Sequence, residues 1–108
     1  MRIKKIAVLV PVLMLSGCVS ETEYSRLQEV MNGSPAARQY AINECYAKTI
    51  RAPAHETASV RIIMNLSPKA NVQKTFCTRA VNGVASKRIT YRDYVNKTPN
   101  FIRVIQGR

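Results

Sequence analysis

Residues 34–50 read SPAARQYAINECYAKTI, and this stretch decides the fold class. Ser34-Pro35 is a helix start, a capping hydroxyl followed by proline at the first helical position, where its missing N–H costs nothing. Ala37, Ala41, Ile42, Cys45, Tyr46 and Ile50 then fall on one side of a helix, until Arg51-Ala52-Pro53 breaks the run. The spacing predicts a core helix over about 35–48 with Cys45 on its inward stripe. Such a stripe must be buried against other elements, so the flanking sequence has to supply them.

Upstream, Ser20-Glu21-Thr22-Glu23 fits a capping box, in which the Ser hydroxyl and the N3 carboxylate each satisfy a free backbone N–H. Tyr24, Leu27, Val30 and Met31 recur at helical spacing and Asn32-Gly33 supplies a stop, so a short helix is expected over about 21–31. Its acidic first turn complements the helix dipole.

Downstream, residues 56–66 read two ways. Val60, Ile62, Met64 and Leu66 alternate as in a strand, while Val60, Ile63 and Met64 also suit a helix. Helix is preferred, because no other segment offers a pairing strand. Ser67-Pro68 repeats the cap-plus-proline signature, and Val72, Phe76, Ala80 and Val84 follow at spacing four with Cys77 and Val81 beside them. A helix over about 68–82 is expected, with Gly83 near its stop. Thr90 and Asp93 form a second capping-box pattern, with Ile89 placed to staple onto Tyr94, which predicts a short helix over 91–96. The tail 99–108 has Phe101, Ile102, Val104 and Ile105 to dock, with its final residues expected to be loose. The fold expected is all-α, a small bundle of four or five short helices.

The first residues have a different character. Arg2, Lys4 and Lys5 form a positive n-region, and residues 6–15 are uninterrupted apolar sequence, too short to span a bilayer permanently and without the polar face a surface helix would need. Leu15-Ser16-Gly17-Cys18 follows directly. This leader and motif resemble those of the bacterial prolipoproteins, whose lipobox reads Leu-Ser/Ala-Gly/Ala-Cys; the resemblance covers residues 1–18 only. It implies cleavage before Cys18, a diacylglycerol thioether on Cys18 and acylation, palmitate among the chains, of the new amino terminus. Several acyl chains on one residue make attachment effectively stable. In Gram-negative members an Asp after the lipidated Cys retains the protein in the inner membrane. Val19 stands there, so the resemblance implies the outer membrane, facing the periplasm. The organisation expected is a signal peptide over 1–17, a lipidated acidic tether or short helix over 18–33, and a basic helical domain over 34–108.

With Cys18 lipidated, Cys45 and Cys77 remain, an even pair in an oxidising compartment and both on expected inward helix faces. They are expected to form a disulfide, since a redox pair would more usually be Cys-x-x-Cys. A single cross-link suits a chain of this size, whose core alone is small.

Charge is unevenly distributed. The chain carries 17 basic residues against 6 acidic ones. Three of the basic residues lie in the leader, so the mature part keeps fourteen, for a net charge of +8. Residues 18–44 carry −2 and residues 45–108 carry +10. Such a field draws in anionic polymers or surfaces. Catalysis has little to work with. His55 is the single histidine, with Glu56 beside it, and the basic region otherwise offers only Asp93 as a carboxylate. No paired carboxylates, nucleophile elbow, Gly-rich phosphate loop or metal-ligand cluster is present in the sequence, and no cofactor is called for.

Lys87-Arg88 and Arg92 adjoin Tyr91 and Tyr94, a mixture of cations and aromatics also found on nucleic-acid surfaces. The exported address argues against nucleic acid. A solvated charged face is the plainer reading, and anionic envelope material the functional one. The expectation is a non-enzymatic, membrane-anchored envelope protein holding an anionic polymer or acidic protein through Arg79, Lys87, Arg88, Arg92, Lys97 and Arg103. Alternatives are an accessory lipoprotein of a secretion or conjugation apparatus, or an inhibitor of a periplasmic hydrolase.

Overall fold

The structure, a computed structural model, describes residues 19–108; the signal peptide expected over 1–17 and the lipidation expected at Cys18 lie outside the described residues. Among the described residues six helices follow one another: α1 Glu21–Gly33, α2 Pro35–Thr49, α3 Ala54–Met64, α4 Val72–Ala85, α5 Tyr91–Asn96 and α6 Pro99–Ile105. No strand occurs among the described residues. The fold is all-α, and the sixth helix comes from the tail.

Five of the six helices begin on a side-chain cap, from Ser20, Ser34, Asn71, Thr90 and Thr98; α3 starts after Pro53 without one. Ser34 lies between two of them, its N–H bonding the Met31 carbonyl at the end of α1 (3.5 Å) while its hydroxyl accepts from the Ala37 N–H of α2 (3.0 Å). Arg38 reaches back to the Met31 and Asn32 carbonyls at 2.6 and 3.3 Å, satisfying carbonyls that a helix end leaves without partners. At α1 only half of the expected capping box is made. The Ser20 hydroxyl accepts from Glu23 N–H at 3.2 Å, but the Glu23 carboxylate pairs with Arg26 at 3.1 Å instead of returning to the cap. At α5 the box is complete, with Thr90 and Asp93 each accepting from the other's backbone N–H.

Two boundaries differ from expectation. Helix α4 starts at Val72, not near residue 68, because the Asn71 side chain caps it through Lys74 N–H (3.0 Å) and Ser67 to Ala70 close a turn of their own. Gly83 does not stop α4, which runs on to Ala85; a Cβ at Gly83 would sit 2.7 Å from both Ile89 Cδ1 and Val104 Cγ1. Its value is close approach, since the space a side chain would need is filled by two core residues. The tail is also tighter than expected, Gly107 and Arg108 donating N–H groups to the Val104 and Arg103 carbonyls at 2.9 and 3.0 Å.

Residues 56–66 settle as helix. Met64 is buried, while Ile62 and Ile63 face solvent at 73% and 44% exposure. Asn65 then turns left-handed with φ of 57°, which ends α3. Arg61 holds the following loop by donating to the Ser67 and Ala70 carbonyls.

Helix α4 is the centre of the bundle, packing against α1, α2, α3 and α6. It brings Val72, Cys77, Val81, Val84 and Ala85 inside. Cys45 and Cys77 form the expected disulfide between α2 and α4, with a Cα–Cα distance of 5.7 Å. Helix α1 is an integral part of the same bundle. Tyr24 and Met31 are buried, the Tyr24 hydroxyl donates to the Ile89 carbonyl at 2.7 Å, and Gln28 and Asn32 donate to carbonyls of α4 and the loop after it. Residues 21–33 are therefore a packed helix and not a tether outside the domain. On the α5 side Tyr24 meets the rings of Tyr91 and Tyr94 at 5.6 and 5.4 Å, and Phe76 of α4 meets Phe101 of α6 at 6.4 Å.

Candidate functional site

The six basic residues expected to form one anion-binding surface have different partners. Lys87, turned out by a φ of 68°, pairs with Glu29 of α1 at 2.6 Å. Lys97 also has positive φ, which lets its ammonium fold back onto the Tyr94 carbonyl and over the rings of Tyr94 and Phe101, at 4.7 and 5.3 Å from their centroids. Partial burial there lowers its pKa. The ring faces attract the cation, so its charge is directed inward. Arg92 lies exposed on α5 with no hydrogen bond to another described residue.

The remaining three gather around α6. Half-buried Arg79 donates to the Ile105 carbonyl at 2.9 Å, and its guanidinium lies against Gly107, where a Cβ would be 3.0 Å away. Arg88 donates to the main-chain oxygen of Arg108 at 2.6 Å, while its own carbonyl accepts from the Asn100 side chain at 2.8 Å. Arg103 donates to the Asn100 side-chain oxygen at 3.3 Å. Arg108, which sequence reasoning did not single out, joins them because Gly107 turns the chain back with φ of 82°. A glycine two residues beyond an apolar tail was the available signal.

Arg79, Arg88 and Arg108 thus lie at the C-terminal end of one short helix, where carbonyls and the dipole favour cations, while Arg103 reaches back to its first turn. Ion pairs among the described residues are Arg26–Glu23 and Lys87–Glu29, and neither includes one of these four arginines. Asp93, which shares Asn100 with them, is occupied. Its carboxylate accepts from the Thr98 hydroxyl (2.5 Å), the Thr90 N–H (3.0 Å) and the Asn100 amide (2.8 Å). Those donors hold its pKa down to about 2, Thr98 contributing most. Among the described residues these arginines have Asn100, Gln106 and main-chain oxygens as hydrogen-bond partners and no Asp or Glu side chain.

Elsewhere the chemistry is sparse. His55 and Glu56 are both exposed in the first turn of α3, and the His55 contact is its carbonyl accepting from the Ser59 hydroxyl. No group of three or more His, Cys, Asp or Glu side chains capable of holding a metal occurs among the described residues. An open groove of about 390 Å³ lies between α3 and α4, lined by Ala52, Ala54, Thr57, Ala58, Arg61 and Gln73. Arg61, its ionisable lining residue, is engaged by the loop carbonyls, which leaves no acid or base there. Among the described residues no helix is long and apolar enough to cross a membrane. Compared with protein-family models, curated proteins and solved structures, the chain finds no match.

Proposed function

We propose that this chain is a lipid-anchored envelope protein, without a catalytic role of its own, that holds an anionic partner on the arginines placed around α6. The observation that carries the reading is the grouping of Arg79, Arg88, Arg103 and Arg108 without an acidic side chain among them. The anchor rests on the lipobox-like Leu15-Ser16-Gly17-Cys18 and the leader before it. Val19 after that Cys favours the outer membrane, with the domain in the periplasm. Anionic envelope polymers or an acidic protein face suit such a surface, since both present phosphates or carboxylates to guanidinium groups.

The test is sedimentation of the processed protein with peptidoglycan, lipopolysaccharide or phosphatidylglycerol vesicles across a salt series. Screening shortens the reach of a charge from about 10 Å at 0.1 M salt to about 3 Å at 1 M, so binding is expected to fall steeply with salt. Arg103→Glu with Arg108→Glu, both at exposed positions, is expected to weaken it roughly tenfold, about 1.4 kcal/mol, with helix content unchanged. Salt-independent binding, or none to any of the three, would overturn the reading.

A further inference from the structure

The described chain begins already inside the fold. Val19 is 3% exposed, and its carbonyl accepts a hydrogen bond from the Tyr91 hydroxyl of α5 at 3.0 Å. Ser20 caps α1 immediately afterwards. Residue 19, the next in the chain after the expected anchor, is fixed in the domain, and consecutive Cα atoms are about 3.8 Å apart. The headgroup layer of one leaflet is about 5–7 Å thick. An acyl group on Cys18 therefore brings whatever surrounds Val19 to the lipid surface.

What surrounds it is α5. Tyr91 and Tyr94 of that helix turn inward onto Tyr24, and Arg92 and Val95, three residues apart on its outer side, are exposed, Val95 by 42%. An apolar side chain beside a cation free of partners is the pairing that an interfacial helix presents, the one entering the headgroup boundary and the other meeting lipid phosphates. In the first turn of α1 Glu23 is paired with Arg26, so the acidic groups opposing the contact are Glu21 and, on α5 itself, the ionised Asp93, whose carboxylate is engaged by Thr90, Thr98 and Asn100.

We propose that the outer face of α5, carrying Arg92 and Val95, lies on the bilayer that holds the Cys18 anchor, so that the domain has one fixed orientation on the membrane. This rests on the lipid-anchor reading above. The partner of this face is phospholipid, distinct from the anion expected around α6.

The experiment uses the processed, acylated full chain with a fluorescent label at Val95→Cys, or at Ile62→Cys on α3 as the solvent-facing reference, in vesicles of phosphatidylethanolamine with phosphatidylglycerol. The label at 95 is expected to be shielded from aqueous iodide several-fold more than the label at 62, and quenched by a headgroup spin label. Adding Arg92→Glu is expected to reduce that shielding. Equal access of iodide at 95 and 62, on protein whose acyl mass is confirmed, would overturn the orientation and leave the anchor standing. Protein from its native membrane lacking any acyl mass would overturn the anchor and this inference with it.

Discussion

Asp93 joins two helices through one carboxylate. It completes the cap of α5 through Thr90 and holds the start of α6 through Thr98 and Asn100. Because these donors lower its pKa from 3.8 to about 2, the native state favours the ionised form more than the unfolded chain does. The stability this provides is present above the ordinary carboxylate range and is lost as pH falls from about 4 towards 2. Acid titration followed by circular dichroism should show that loss, and Asp93→Asn should start less stable and flatten the curve over the same window. Gly83 is a second single-residue constraint. A methyl group there meets Ile89 and Val104, both buried, at 2.7 Å. Overpacking of this kind costs about 1–3 kcal/mol, and the better helix propensity of alanine offsets up to about 1 kcal/mol of it. Gly83→Ala is therefore expected to destabilise by about 1–2 kcal/mol in urea unfolding, the opposite of what the substitution does in an open helix.

Helix starts were more legible than helix starts of the wrong kind were avoidable. Ser34-Pro35 and Ser67-Pro68 look alike, yet the first opens α2 and the second opens a turn. Asn71 decides the difference, since it caps α4 four residues later. Asn71→Ala should cost about 1 kcal/mol, whereas Ser67→Ala should stay within about 0.5 kcal/mol; the midpoints of chemical denaturation check both. Thr98-Pro99 carries the same signature again and does open a helix, α6, within a tail that reads from its composition only as apolar and docked. The α3 segment is ambiguous because Val60, Ile62, Met64 and Leu66 satisfy a period of two; what resolves it is that Met64 enters the core with Val60 and Leu66 packed against it while Ile62 stays in water. The basic surface was the least legible part. Residues 79, 88, 103 and 108 all find partners on α6 or just after it because α6 packs on α4, and linear charge counting cannot separate them from Lys87, which Glu29 neutralises from a helix more than fifty residues away.

For the whole molecule the cross-link between α2 and α4 carries a large share of stability. Closing a loop with a sequence separation of 32 contributes about 3–4 kcal/mol in the chain-entropy account, in a domain whose total is on the order of 5–10 kcal/mol. Reduction, or Cys45→Ala with Cys77→Ala, should lower the denaturation midpoint accordingly while leaving the helical spectrum intact at low temperature. The same bond has a topological result. All of α3 and both of its flanking loops lie between Cys45 and Cys77. Arg51, Arg61 and Lys69 are there too, in the segment with the most exposed isoleucines. A protease that cuts at any of them makes two polypeptides but still one covalent molecule, which migrates as a single band until a reductant is added. The N-terminal piece, beginning near the expected anchor, would keep hold of the C-terminal piece that bears the arginines, so a nicked copy would stay whole and in place.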